Sequence, residues 1–120
     1  MPKVLVVDDA MFMRVTISRM IEEWGYDVVA QAANGKEAIA KFEECVPDVV
    51  TMDVTMPVMN GIEAVKMIVE RNPEARIVMI TALGQQKLIK QALEYGAKDF
   101  VTKPFEPERL KEVIDHVLTL

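Results

Sequence analysis

One hundred and twenty residues, 51% apolar and 28% charged, are enough for one folded domain with a real core and exclude a disordered chain. A net charge of −5 suits neither nucleic acid nor an anionic membrane surface as main partner, and no apolar run approaches the ~18 residues that cross a bilayer. The single Cys45 excludes an intrachain disulfide or a CxxC pair, and Asp8 comes too early for a signal-peptide core, so the expectation is a reduced, cytoplasmic protein.

In chain order, a β-branched run at Val4–Val7 predicts a first strand. Met13, Ile17, Met20, Ile21 and Trp24 then form the stripe of a helix. A second strand at Val28–Ala30 precedes a helix marked by Ala38, Ile39 and Phe42. A third at Val49–Met52 precedes one marked by Ile62, Val65, Ile68 and Val69. A fourth at Ile77–Ile80 leads to Leu88, Ile89, Ala92 and Leu93, and a fifth at Phe100–Thr102 to Leu110, Val113, Ile114, Val117 and Leu118. Gly25, Gly96 and Asn72-Pro73 stand where helices should stop, Pro47 before a strand and Pro107 at a helix start. Five strand–helix alternations imply right-handed crossovers and a parallel sheet covered on both faces, a (βα)5 three-layer sandwich. Strands one, three and four are almost purely apolar, whereas two and five carry polar residues as edges do, which gives the doubly wound order 2-1-3-4-5. In such a sheet ligands bind beyond the carboxyl ends of the strands, at the switch point between strands one and three.

To that rim the strands deliver Asp8 and Asp9, Asp53, Thr81 and Lys103. Each has an ordinary explanation: Asp9 as a helix cap, Asp53 bonding nearby backbone, Thr81 as a satisfied core hydroxyl, Lys103 as a solvated loop lysine. Their common position is harder to explain that way. Carboxylates ~4 Å apart repel by about 4 kcal/mol per pair at an effective dielectric of 20, so the group must hold a proton or a cation. Oxygen ligands without His or Cys suit Mg²⁺ or another hard cation. A carboxylate can also attack phosphorus and form an aspartyl phosphate; Asp53, alone on the central third strand between the acid pair and Thr81, is the natural nucleophile, with Lys103 and Thr81 on the phosphoryl oxygens and small Ala82, next to Thr81, leaving room for the incoming group.

The stretches Val4-Leu5-Val6-Val7-Asp8-Asp9, Met52-Asp53-Val54-Thr55-Met56-Pro57-Val58-Met59-Asn60-Gly61, Thr81-Ala82 and Lys103-Pro104-Phe105 together resemble the motif set of response-regulator receiver domains, over residue 3 to the end. Within that family Asp8-Asp9-Ala10-Met11-Phe12-Met13-Arg14, Met56 to Gly61 and Gly84-Gln85-Gln86 are most similar to CheY-type chemotaxis regulators. The order 2-1-3-4-5 is the known order of that flavodoxin-like fold, so it comes with the resemblance as much as with the edge pattern. The resemblance implies one receiver domain over 1–120 with no output domain, a monomeric signalling protein rather than an enzyme acting on a separate substrate. Asp53 would accept phosphoryl from a histidine kinase. Asp9, Asp53 and the backbone carbonyl of Thr55 would ligate Mg²⁺ directly, and Asp8 mainly through water. Lys103 would pair with the phosphoryl group, before a cis Lys103–Pro104 peptide. Thr81 would move onto a phosphoryl oxygen and Phe100 would rotate inward, signalling through helix four, strand five and helix five to the flagellar motor switch, with a dedicated phosphatase as a further partner.

Two less typical positions limit what the resemblance carries over. Phe100 carries no hydroxyl for a partner, and Leu83, two places after Thr81, brings no polar atom to orient water, so slow self-dephosphorylation is expected. Met11, Met13, Met56 and Met59 form either a soft rim to the site or ordinary core. Trp24 is expected to pack at a helix end, His116 to be solvated, and Lys87, Lys90, Lys98 and Lys103 to make a basic side.

Three other functions compete. An Mg²⁺-dependent aspartyl-phosphate phosphatase of the haloacid-dehalogenase type needs Asp-x-Asp-x-Thr after strand one, where this chain has Asp8-Asp9-Ala10. An FMN carrier needs a hydroxyl- and Gly-rich loop in the same place, and no nucleotide-binding Gly motif occurs. A stand-alone phosphorelay receiver passing phosphoryl to a histidine phosphotransfer protein shares every residue above; the CheY-like stretches favour chemotaxis.

Overall fold

Each β-branched run forms a strand and each stripe between them a helix. The computed structural model describes residues 1–120. Strands β1 (Lys3–Val7), β2 (Asp27–Ala32), β3 (Val49–Asp53), β4 (Ile77–Thr81) and β5 (Asp99–Thr102) alternate with helices α1 (Met11–Glu23), α2 (Gly35–Cys45), α3 (Gly61–Arg71), α4 (Gln86–Glu94) and α5 (Pro107–Val117). The strands extend one or two residues beyond the apolar runs, because ladder hydrogen bonds continue where side chains become polar. All pairings are parallel and the order is β2-β1-β3-β4-β5, as the polar edge strands imply.

The period of two along a strand divides the interior into two cores. Leu5, Val7, Val50, Met52, Ile77 and Met79 face α2, α3 and α4 and pack with Phe42, Val65, Ile68 and Ile89. Val4, Val6, Val49, Val78 and Ile80 point the other way, against Ile17 and Ile21 of α1 and Leu110, Val113, Ile114 and Val117 of α5. The three interior strands therefore read as continuous apolar runs, since both of their faces are covered.

Local chemistry sets the helix ends. At α2 the N-cap Asn34 accepts from the Glu37 N–H while Glu37 reaches back to accept from the Ala33 N–H, one residue before the cap, and Asn60 accepts from the Glu63 N–H at α3. Pro107 opens α5, Asn72 caps the end of α3, and Gly25 and Gly96 follow the last residues of α1 and α4. The end of α2 carries no glycine: Val46 takes a left-handed φ of 44° there, and the following Pro47 disfavours further right-handed helix at Val46. Trp24 packs at the end of α1 edge-on to Tyr26, with ring centroids 6.0 Å apart, and His116 is exposed, both as expected.

Candidate functional site

The carboxyl ends of β1, β3, β4 and β5 meet on one rim, and the parallel registers bring their terminal residues level. Asp8 follows β1 and is 1% exposed. Its backbone N–H donates to the Ala32 carbonyl at 3.1 Å, and its Oδ1 accepts from the Ala10 N–H at 2.9 Å. Arg14, one turn into α1, donates from Nη1 to the Asp8 carbonyl at 2.7 Å and so holds the acid pair against the helix. Asp9 is exposed and does not cap α1: the N-cap is Ala10, with no side-chain bond to the helix. That removes the capping explanation for Asp9.

Asp53 closes β3 with its side chain 13% exposed, and its Oδ1 accepts from the Val54 N–H at 2.9 Å. Carboxylate oxygens of Asp8, Asp9 and Asp53 lie within 4.8 Å of one another. Lys103 is no solvated loop lysine: its Nζ sits 3.4 Å from Asp8 Oδ2 and 3.5 Å from Asp53 Oδ1. The basic side is correspondingly reduced to the exposed Lys87, Lys90 and Lys98. Burial first, and then the neighbouring Asp8, push the Asp53 carboxyl from its usual 3.8 up to about 6, although Lys103 and the Val54 N–H act the other way. Three carboxylates against one ammonium leave the cluster short of positive charge. The donors are all oxygens, with neither His nor Cys among them, so they fit a hard divalent cation such as Mg²⁺.

The loops around this cluster are shaped by close approach. A Cβ on Gly61 would stand 2.0 Å from the Asp53 carbonyl oxygen, so only glycine lets the start of α3 pack onto the end of β3. Val58, in the same loop, holds φ at 67° and is 80% exposed, a strained position for a β-branched residue. Among the four methionines near the rim, Met56 is buried, Met59 and Met13 pack against the two cores and Met11 is exposed, so most of them serve as core.

Thr81 ends β4 and is 3% exposed. Its hydroxyl donates to Gln85 Oε1 at 2.9 Å, with the Ala82 carbonyl at 3.2 Å as a weaker acceptor, so the satisfied-hydroxyl explanation holds for this geometry. Thr55 is exposed and its Oγ1 accepts from Gln85 Nε2 at 3.0 Å. Phe100 on β5 is 38% exposed and borders a cavity of about 280 Å³ lined by Thr81, Ile89 and Leu93 among others. The Lys103–Pro104 peptide is cis. Two further polar residues border the site, Arg14 and Gln85; both lie in stretches that carry the resemblance, but neither stands at a strand end, so strand-end position in the sequence does not bring them to the site.

The chain matches the family model described as "Response regulator receiver domain" over residues 4–115. It is 49% identical over 115 residues to chemotaxis protein CheY of Thermotoga maritima, covering 96% of each chain. It is 46% identical over 115 residues to CheY of Listeria monocytogenes, covering 96% of this chain and 97% of that one. Among solved structures, the CheX–CheY–BeF3–Mg²⁺ complex from Borrelia burgdorferi aligns with a TM-score of 0.91 at 36% identity, over 96% of this chain and 87% of that one. With the fold, the acid cluster and these likenesses together, the chain belongs to the response regulator receiver domain family and is similar to its CheY-type chemotaxis members.

Proposed function

We propose that the protein is a phosphoacceptor switch that takes phosphoryl from the phosphohistidine of a histidine kinase onto Asp53 and signals through α4, β5 and α5 to the flagellar motor switch. The observation that carries this reading is the ammonium of Lys103 lying 3.4 and 3.5 Å from Asp8 and Asp53, inside a cluster of three carboxylates. Asp53 Oδ attacks phosphorus; the new O–P bond forms as the P–N bond to the donor imidazole breaks, and the electron pair leaves on that nitrogen. Lys103 would follow the charge from the carboxylate to the phosphoryl oxygens, and Thr81 would donate its hydroxyl to one of them. Asp8, Asp9, Asp53 and the Thr55 carbonyl would hold Mg²⁺, which when bound supplies positive charge to the transferring group. The Borrelia burgdorferi neighbour, whose complex contains both BeF3 and Mg²⁺, supports Mg²⁺ and a phosphoryl group as what the site would hold.

A switch that goes from 1% to 99% active needs about 5.5 kcal/mol of differential stabilisation. A phosphoryl group adds roughly −1.5 to −2 charges and a few charge-assisted hydrogen bonds of ~1.5–3 kcal/mol each, which is the right size. The 280 Å³ cavity beside Thr81 gives Phe100 a place to turn into when Thr81 moves, and its walls include α4.

The test is intact mass after incubation with acetyl phosphate, which loses acetate as the O–P bond to Asp53 forms. One added phosphate is expected with Mg²⁺, and none without Mg²⁺ or in Asp53→Asn. No adduct under any condition, with the fold intact, would reduce the protein to a receiver-shaped binding module. The adduct is expected to persist for minutes once donor is removed, since Leu83 is 83% exposed and apolar where a polar group would align water. A lifetime of seconds in the same mass assay would show that another group activates the water.

A further inference from the structure

The Gln85 side chain spans the mouth of the site. Its Oε1 accepts from the Thr81 hydroxyl at 2.9 Å and from the Ala82 N–H at 2.7 Å, while its Nε2 donates to Thr55 Oγ1 at 3.0 Å. The orientation of the amide is set by chemistry: a backbone N–H can only donate, so the oxygen must face Ala82 and the nitrogen Thr55. Two donors from adjacent residues converging on one oxygen form the arrangement that enzymes use to bind an oxyanion. The side chain thereby ties the loop after β3 to the loop after β4.

Local backbone sends it there. Gly84 turns at φ +88° with open space around it, and Gln85 then enters as the N-cap of α4 without a side-chain bond to that helix. Its carbonyl alone serves the helix, accepting from the Ile89 N–H at 3.0 Å. The amide is therefore free to serve the site instead of α4, and moving it breaks no helical hydrogen bond.

We propose that Gln85 is an internal competitor for the phosphoryl group: its side-chain oxygen holds the Thr81 hydroxyl and the Ala82 N–H, and a phosphoryl oxygen on Asp53 must displace it to reach them. This inference rests on the phosphoacceptor reading of Asp53 and on Thr81 as a phosphoryl donor. A charged oxygen bonds the same two donors about twice as strongly as an amide oxygen, so the exchange runs forward. The competition still lowers apparent affinity by the fraction of time the pair is free. Displacement also releases Thr55 and the N-cap of α4 together, linking occupancy of the site to the helix that borders the Phe100 cavity. Gln85 touches none of the three carboxylates; it is a positioning residue, setting where Thr81 points and how tightly the phosphoryl group is held.

Beryllofluoride, a phosphoryl mimic that binds a carboxylate, separates this role from a structural one. Titrations with Mg²⁺ present compare the native chain with Gln85→Met, which fills the same space but accepts no strong hydrogen bond, and Gln85→Glu, which strengthens the acceptor. Gln85→Met is expected to bind about tenfold more tightly, equivalent to ~1.4 kcal/mol or one typical net hydrogen bond. Gln85→Glu is expected to bind more weakly than the native chain. Without metal or fluoride, hydrogen exchange at the Ala82 amide should be faster in Gln85→Met, where its acceptor is gone. A purely structural Gln85 would weaken binding in both variants. Equal or weaker binding by Gln85→Met, with melting temperature unchanged, overturns the competitor and leaves the phosphoacceptor reading in place. Failure of the native chain itself to bind beryllofluoride overturns both.

Discussion

Asp53→Asn is expected to make the metal-free protein more stable at pH 7 by about 2–3 kcal/mol, measured by urea unfolding. The folded protein holds the Asp53 proton up to about pH 6, because burial and Asp8 oppose its charge, whereas an unfolded carboxyl loses it near 3.8. The stability contributed by this group is full below 3.8 and is lost as pH rises through about 6. The native chain should therefore lose stability relative to Asp53→Asn across that window, with the gap level above pH 7. The shift of roughly two units corresponds to ~3 kcal/mol, and the remaining solvent contact of the side chain reduces it somewhat. Asparagine keeps the volume and still accepts from the Val54 N–H, so little else changes. Millimolar Mg²⁺ should narrow or reverse the gap, since the native carboxylate gains a counter-charge that the amide cannot use. A variant no more stable than the native chain, or a gap equal at pH 4 and pH 7, would show that Asp53 is not held short of positive charge.

Lys103→Met is expected to act in the opposite direction. It removes the ammonium within 3.5 Å of two carboxylates, one of which, Asp8, is almost wholly buried. Removing one partner of a buried pair costs ~3–5 kcal/mol; with Lys103 itself 29% exposed, about 2–4 kcal/mol is expected in metal-free buffer at pH 7. The same substitution should tighten Mg²⁺ binding, because a cation that competes for the carboxylates is gone. Calorimetric titration with Mg²⁺ and urea unfolding can be done on one preparation. Loss of stability with weaker Mg²⁺ binding would mean that Lys103 shapes the loop after β5 rather than neutralising the acids. Together the two variants separate charge from shape, since the site has excess negative charge and each variant changes that excess by one.

Much of the fold was legible because the physics is local or periodic. Strand period, helical stripes, Asn72-Pro73 and Pro107 depend on a few neighbouring residues, and the polar edges of β2 and β5 reflect which strands have both faces covered. The end of α2 was not legible, since Val46 in a left-handed conformation offers no composition signal. Asp8, Asp9, Asp53, Thr81 and Lys103 could be gathered in advance because parallel strands place their carboxyl ends on one rim. Their individual states could not. Asp9 and Lys103 each had a plain alternative in the sequence, and only the absence of a cap bond at Asp9 and the ion pairs of Lys103 decided against it.

By itself the sequence determined the (βα)5 order, the strands that lie inside the sheet, the acid cluster as a group and the family it resembles, because each is written in spacing or in strand-end position. Tertiary structure alone decided that Arg14 braces Asp8, that Gly61 lies against the Asp53 carbonyl, that Asp53 holds its proton to about pH 6, and that Gln85 occupies the Thr81 and Ala82 donors. These depend on burial and on distances between residues far apart in the chain, and a side chain's charge, partner and freedom are set by that surrounding volume rather than by its neighbours in sequence.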